Sequence, residues 1–158
     1  MARHAREDVD ARAMSPSKAL RLSLERACDR RLSLALTVCA VEQRSVPGTE
    51  LKAQAEDDVL ILLVEGQEGA PPGVILMDRQ MVQALVEVQT VGSVRSGPAP
   101  QRPFTDTDGA IAAPLIDAMM TGYEDRMAED HEDHERIGFR FADRVADARA
   151  LMLVLEET

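Results

Sequence analysis

Apolar positions follow two rhythms along this chain, and the contrast between them predicts an α/β protein. After Ser15, which can cap a helix opened by Pro16, the residues Leu20, Leu24, Ala27, Cys28 and Arg31 fall on one stripe at three- and four-residue spacing. Arg21, Glu25, Arg26, Asp29 and Arg30 fall mostly on the other face. Over 34–41 the apolar run becomes nearly continuous and β-branched residues enter, which predicts a strand. Pro47-Gly48 marks a turn, the alternation over 50–55 reads as a short edge strand, and Glu56-Asp57-Asp58 reads as a charged turn. Residues 59–64 (Val, Leu, Ile, Leu, Leu, Val) give the strongest strand signal; being apolar on both faces, they predict a central strand covered by helices.

The stretch 78–120 organises the second half. A loop over 66–73 leads to a short buried strand at 74–77, which delivers the chain to Asp78 in the position of a helix cap. Met81, Val82, Leu85, Val86 and Val88 form the apolar stripe of that helix. A polar loop over 92–103 follows, with two glycines, three prolines, Arg95 and Arg102. Thr105 and Asp108 have the spacing of a capping box, with aspartate replacing the usual glutamate. The next helix buries Ile111, Leu115, Ile116 and Met119, and Pro114 inside it predicts a kink or a later regular start. After a charged stretch over 124–136, residues 137–141 and a charged turn lead to an apolar run at 150–155, read as a third buried strand.

Composition narrows the function classes. The 158 residues suffice for one domain, read as an arm over 1–14 and a domain over 15–158. The net charge of −10, with 28 acidic against 18 basic residues, argues against a nucleic-acid surface, since such affinity rests on cations facing phosphates. Aromatics are only 3% of the chain, so stacking platforms are not expected and the core is aliphatic. Cys28 and Cys39 lie in apolar surroundings without metal-ligand spacing and read as buried free thiols of a reducing cytoplasm. No signal peptide is visible, and no run reaches the ~20 apolar residues that a membrane-spanning helix needs.

Candidate chemistry is sparse. His131 and His134 share a helical face among carboxylates and invite a metal reading, but no third ligand is evident, and a solvated helix end is the stronger expectation. No serine sits in a Gly-x-Ser-x-Gly elbow. No cofactor is expected.

The order of elements resembles the middle domain of the flagellar motor switch protein FliM, in the CheC and CheX phosphatase superfamily. Two stretches carry the resemblance. Gly73-Val74-Ile75-Leu76-Met77-Asp78 running into Arg79-Gln80-Met81-Val82 looks like the family's strand, aspartate and "LVDRL" helix. Arg102-Pro103-Phe104-Thr105-Asp106-Thr107-Asp108 is similar to its "R-x-L-T-x-I-E" helix start. Phe139-Arg140-Phe141-Ala142, with the run at 150–157, looks like the opening of the family's second half.

The resemblance implies a CheC-like three-layer α/β/α fold: a mainly antiparallel sheet flanked by helices, in two pseudo-symmetric halves of which the second is incomplete. It implies a non-enzymatic component of the motor switch at the cytoplasmic face of the inner membrane. The expected partners are FliG, FliN, neighbouring FliM-like subunits and phosphorylated CheY. FliG would bind the loop after the Asp78 helix, at Gly92, Ser93, Val94 and Arg95. There the family carries Gly-Gly-x-Gly, whereas this chain has Val91-Gly92-Ser93-Val94 and keeps one glycine, which narrows the backbone angles open to the loop. The acidic-leucine peptide that captures phosphorylated CheY is not visible in 1–14, and no FliN-like C-terminal domain follows within the 158 residues, as expected of a fragment or a shortened relative. Two alternatives stand beside this reading. A generic α/β interaction domain unrelated to motility is one. A CheC-like phosphatase is the other, disfavoured because its helix needs an asparagine and the chain has none.

Overall fold

Leu60, Ile61, Leu62, Leu63 and Val64 are apolar on both sides of the strand they form, so that strand must lie between two helical layers. A computed structural model, describing residues 13–157, shows this arrangement. In chain order the elements are α1 (Pro16–Leu32), α2 (Gly48–Ala55), β1 (Val59–Glu65), β2 (Gly73–Asp78), α3 (Arg79–Val91), α4 (Asp106–Asp130), β3 (Arg140–Val145) and α5 (Ala148–Glu156). The fold is mixed α/β of the α+β kind, with helices on both faces of a three-stranded antiparallel sheet ordered β2-β1-β3. The arm expected over 1–14 lies, up to residue 12, outside the described residues.

The pleat of β1 divides the core in two. Leu60, Leu62 and Val64 face a large cluster with Ala27 and Cys28 of α1, Val82 and Leu85 of α3, and Ala112, Leu115 and Ile116 of α4. Ile61 and Leu63 face a smaller one with Ala55 of α2, Val145 of β3, and Ala148 and Leu151 of α5. At about 1.5–3 kcal/mol for each fully buried aliphatic side chain, β1 anchors both layers.

Side-chain caps fix the helix starts. The Ser15 side chain accepts from the Lys18 amide, Asp78 from Met81 and Asp147 from Ala150. Thr105 and Asp108 form the reciprocal capping box. The helix α4 continues through Pro114 for 25 residues, and Gln89 Nε2 donates to the Ile111 carbonyl just before the proline, at 3.1 Å. Of the two outcomes expected there, the later regular start does not occur: the helix is already formed at Asp106.

Three expectations need correction. The apolar run over 34–41 is extended, and Leu34 and Leu36 pack on the large core, but it joins no sheet. One of its amides, that of Val38, goes to Glu25 Oε1 at 2.9 Å instead of to a strand. The segment read as an edge strand over 50–55 is the helix α2, in which Leu51, Gln54 and Ala55 turn inward at helical spacing. The run at 150–155 is also helical: the Asp147 cap starts α5, Ala148 and Leu151 are buried, and Leu153 on the opposite side is 56% exposed. The third strand is instead β3, rich in arginine and aspartate.

β3 hides from pattern reading because its register slips. Leu63 pairs with Asp143 and Val64 with Phe141, so Ala142 is an extra residue. Phe141 and Arg144 therefore both face Gly109 of α4, although three residues apart; regular alternation would place them on opposite faces.

The cysteines also differ. Cys28 is buried, and desolvation pushes its thiol pKa up, whereas Cys39 is exposed because its extended segment alternates inward and outward positions. Arg31, placed on the apolar stripe of the first helix, is exposed in the last turn of α1.

Candidate protein-binding site

The loop expected to bind a partner begins where α3 ends. Gly92 closes the helix in the left-handed region (φ 84°), and its amide donates to the carbonyls of Glu87 and Val88. A Cβ there would meet nothing within 4 Å, so the glycine serves backbone conformation and not close packing. Ser93, Val94 and Arg95 follow on the surface. Val91 (54% exposed) and Val94 (41%) are two of the four large hydrophobic side chains left open to solvent among the described residues.

The loop over 92–103 is stapled along the polar face of α3. Glu87 accepts from Gln83 Nε2 at 2.9 Å and from the Arg95 amide at 2.7 Å. The Gln83 bond, followed by the Arg95 amide, holds the Glu87 carboxyl below its usual range. Gln80 accepts from the Ala99 amide and donates to the Gly97 carbonyl. Arg79 donates to the carbonyls of Pro100 and Arg102 and forms a fork with Asp58, both contacts at 2.6 Å. The same guanidinium stands 4.3 Å from the centroid of the Phe104 ring.

Arg102 completes the anchor. Its guanidinium donates at 2.8 and 2.7 Å to the two carboxylate oxygens of Asp108, which also accepts from the Thr105 amide at 2.8 Å. Asp108 is only 3% exposed; Arg102 first, then the Thr105 amide, hold its carboxyl well below the ordinary range despite burial. Asp58 is likewise lowered, chiefly by Arg79.

Gly92, Ser93, Val94 and Arg95 thus form one exposed, contiguous tip on an ordered base. Sequence reasoning named these four residues and the capping role of Asp108, but not the base that Asp58, Arg79, Gln80, Glu87 and Phe104 build with it. The three- and four-residue spacing of Arg79, Gln80, Gln83 and Glu87 on one helix was the available signal, but many of their partners are backbone groups that carry no sequence signature.

The histidines serve elsewhere. His131 Nε2 lies 2.7 Å from the Met14 carbonyl, and the His134 ring meets Tyr123 edge-on with centroids 6.4 Å apart. Among the described residues no three His, Cys, Asp or Glu side chains are grouped to hold a metal ion. Among the same residues no helix is long and apolar enough to cross a membrane.

No family model, curated protein or solved structure matches this chain.

Proposed function

We propose that this chain is a non-enzymatic component of a bacterial flagellar motor switch, engaging FliG through Gly92, Ser93, Val94 and Arg95. The observation that carries the reading is the juxtaposition at this tip: two exposed valines, Val91 at the end of α3 and Val94 on the loop that Glu87, Gln80 and Arg79 fix. Exposed apolar residues on a preorganised loop favour protein contact, because little ordering entropy is lost on binding. The resemblance of 73–87 and 102–108 to the FliM middle domain supplies the partner, and with it the CheC-like arrangement in pseudo-symmetric halves. FliN, neighbouring FliM-like subunits and phosphorylated CheY complete the set of partners, at the cytoplasmic face of the basal body. The domain then acts as a rigid body: partner binding biases two tilted states and so repositions FliG.

Calorimetric titration with the middle and C-terminal domains of FliG from the same organism tests this. Saturable binding is expected. Val91→Asp combined with Val94→Asp, both at exposed positions, should weaken it by about tenfold or more, as loss of contact residues at an interface centre does. Absence of binding by folded wild-type protein, or binding indifferent to both substitutions, overturns the assignment and leaves a generic α/β interaction domain as the better reading.

A further inference from the structure

A groove of about 770 Å³ runs between α1 and α4, far in character from the valine-tipped loop. In a chain of net charge −10 it gathers five guanidiniums: Arg26, Arg30 and Arg31 from α1, Arg126 from α4, and Arg140 from the start of β3. Three carboxylates also line it, those of Asp117, Asp125 and Glu129. Two of these are engaged elsewhere, Asp117 by the Phe141 amide and Asp125 by Arg136. Among the described residues no ion pair joins any of the three to a groove arginine.

The floor is built. Ser23, 2% exposed, donates to the Ala19 carbonyl at 2.6 Å and accepts from Arg126 at 3.2 Å, while Arg126 also donates to the Gly122 carbonyl at 3.1 Å. Gly122 leaves room for that guanidinium, since a Cβ there would stand 3.1 Å from it. Arg140 donates to the Phe139 carbonyl. The side chains of Arg26, Arg30 and Arg31 make neither hydrogen bond nor ion pair among the described residues, and Arg26 and Arg30 lie one turn apart on the same helix face.

Cations in the last turn of a helix complement its dipole, which accounts for Arg30 and Arg31 in part. It does not account for Arg26, or for arginines arriving from two further elements. Like charges so placed repel one another unless an anion joins them. The lining also limits what the anion is. It holds no aromatic side chain on which a base could stack, and only Met14, Ala27 and Ala118 are apolar, too little for a peptide anchor. Guanidinium forks match phosphate oxygens in pairs, and the volume falls within the range of small-molecule sites.

We propose that the α1–α4 groove binds a small phosphate-bearing polyanion, with Arg126 as a fixed floor donor and Arg26 and Arg30 as the closing forks. The test is calorimetric titration of the full chain with inorganic pyrophosphate at low and at physiological ionic strength. Saturable one-to-one binding is expected. Arg26→Gln with Arg30→Gln should weaken it at least tenfold, on the order of one lost charge-assisted hydrogen bond. Arg126→Lys, which keeps the charge but loses the fork, should weaken it severalfold. Arg21→Gln with Arg149→Gln removes equal charge outside the groove and should leave affinity unchanged. Circular dichroism checks that each variant folds. Lack of saturable heat with the folded wild type overturns the proposal. So does equal weakening by the two double variants, which would mark diffuse attraction, or arginine-dependent binding of an acidic peptide where pyrophosphate fails.

Discussion

Two regions of this molecule concentrate arginine, and they use it in opposite ways. Around the base of the 92–103 loop, Arg79 and Arg102 each meet a carboxylate in a two-pronged fork, and their remaining donors go to backbone carbonyls. Along the α1–α4 groove, the guanidiniums of Arg26, Arg30 and Arg31 have no hydrogen-bond or ion-pair partner among the described residues. All but Lys18 and Lys52 of the 18 basic residues are arginine, so residue type does not separate the regions. Partnering does. A satisfied guanidinium is a structural joint whose removal leaves buried acceptors and a buried anion exposed to loss. An unsatisfied one contributes little to the fold and is free to meet something else.

The sharpest way to break this contrast is at Asp108. Removing a buried partner that accepts from Arg102 and from the Thr105 amide also dismantles the capping box of the longest helix. Breaking a fully buried pair costs about 3–5 kcal/mol. Arg102 is 36% exposed and can rehydrate, so Asp108→Ala should cost about 3 kcal/mol, at the low end of that range. The corresponding fall in melting temperature is about 6–12 °C, measurable by calorimetry. The same pair dictates a pH dependence. The unfolded carboxyl titrates near about 3.9 and the native one below it, so the stabilisation is complete above that value. It is lost as pH falls through the native value. The stability difference between wild type and Asp108→Ala should therefore shrink in acid below about pH 4. A difference that stays constant would show that Asp108 is not ionised in the pair.

Arg79 gives the next effect. Its partner Asp58 is half exposed and solvent screens the fork, so the pair contributes little, while the Phe104 face adds about 0.5–1 kcal/mol. Arg79→Ala should lower stability by about 0.5–1 kcal/mol in denaturant unfolding and speed amide exchange over 99–104. An unchanged exchange rate would show that Gln80 and Glu87 alone hold the loop, and would move the joint away from the arginine.

How much of this could be read from the sequence follows the same division between local and distant partners. Ser15, Asp78 and the Thr105–Asp108 pair were legible because a cap and its amide lie three residues apart. β1 was legible because its aliphatic run is half β-branched, at Val59, Ile61 and Val64, and is bounded by turn residues on both sides. Residues 150–155 misled for a related reason: a short run without polar positions carries no period, and the Asp147 cap decides for helix. β3 failed because one bulged residue, Ala142, breaks the alternation by which a strand is recognised. At the candidate site, Gly92 was visible and the staples were not. The groove was less visible still. Arg26 and Arg30 read as a solvated helix face, and only the packing of α1 on α4 brings Ser23 to Arg126, 103 residues away in sequence.

The smallest expected effect is the one that defines the second region. Exposed substitutions away from caps, cores and networks usually change stability by less than about 0.5 kcal/mol in either direction. Arg26→Gln with Arg30→Gln should fall within that band in urea unfolding. The sign can be favourable, because the change removes repulsion within the guanidinium cluster while leaving the Arg126–Ser23 floor intact. Arg30 alone bears a small opposing term, since it sits in the last turn of α1 where the helix dipole favours a cation. These contributions offset one another, so near-zero change in folding alongside a tenfold loss of pyrophosphate binding is the pattern a recruiting cluster produces. A loss of more than about 1 kcal/mol would instead place Arg26 and Arg30 among the structural joints, beyond what exposed residues of this kind contribute, and the two arginine regions would no longer differ in kind.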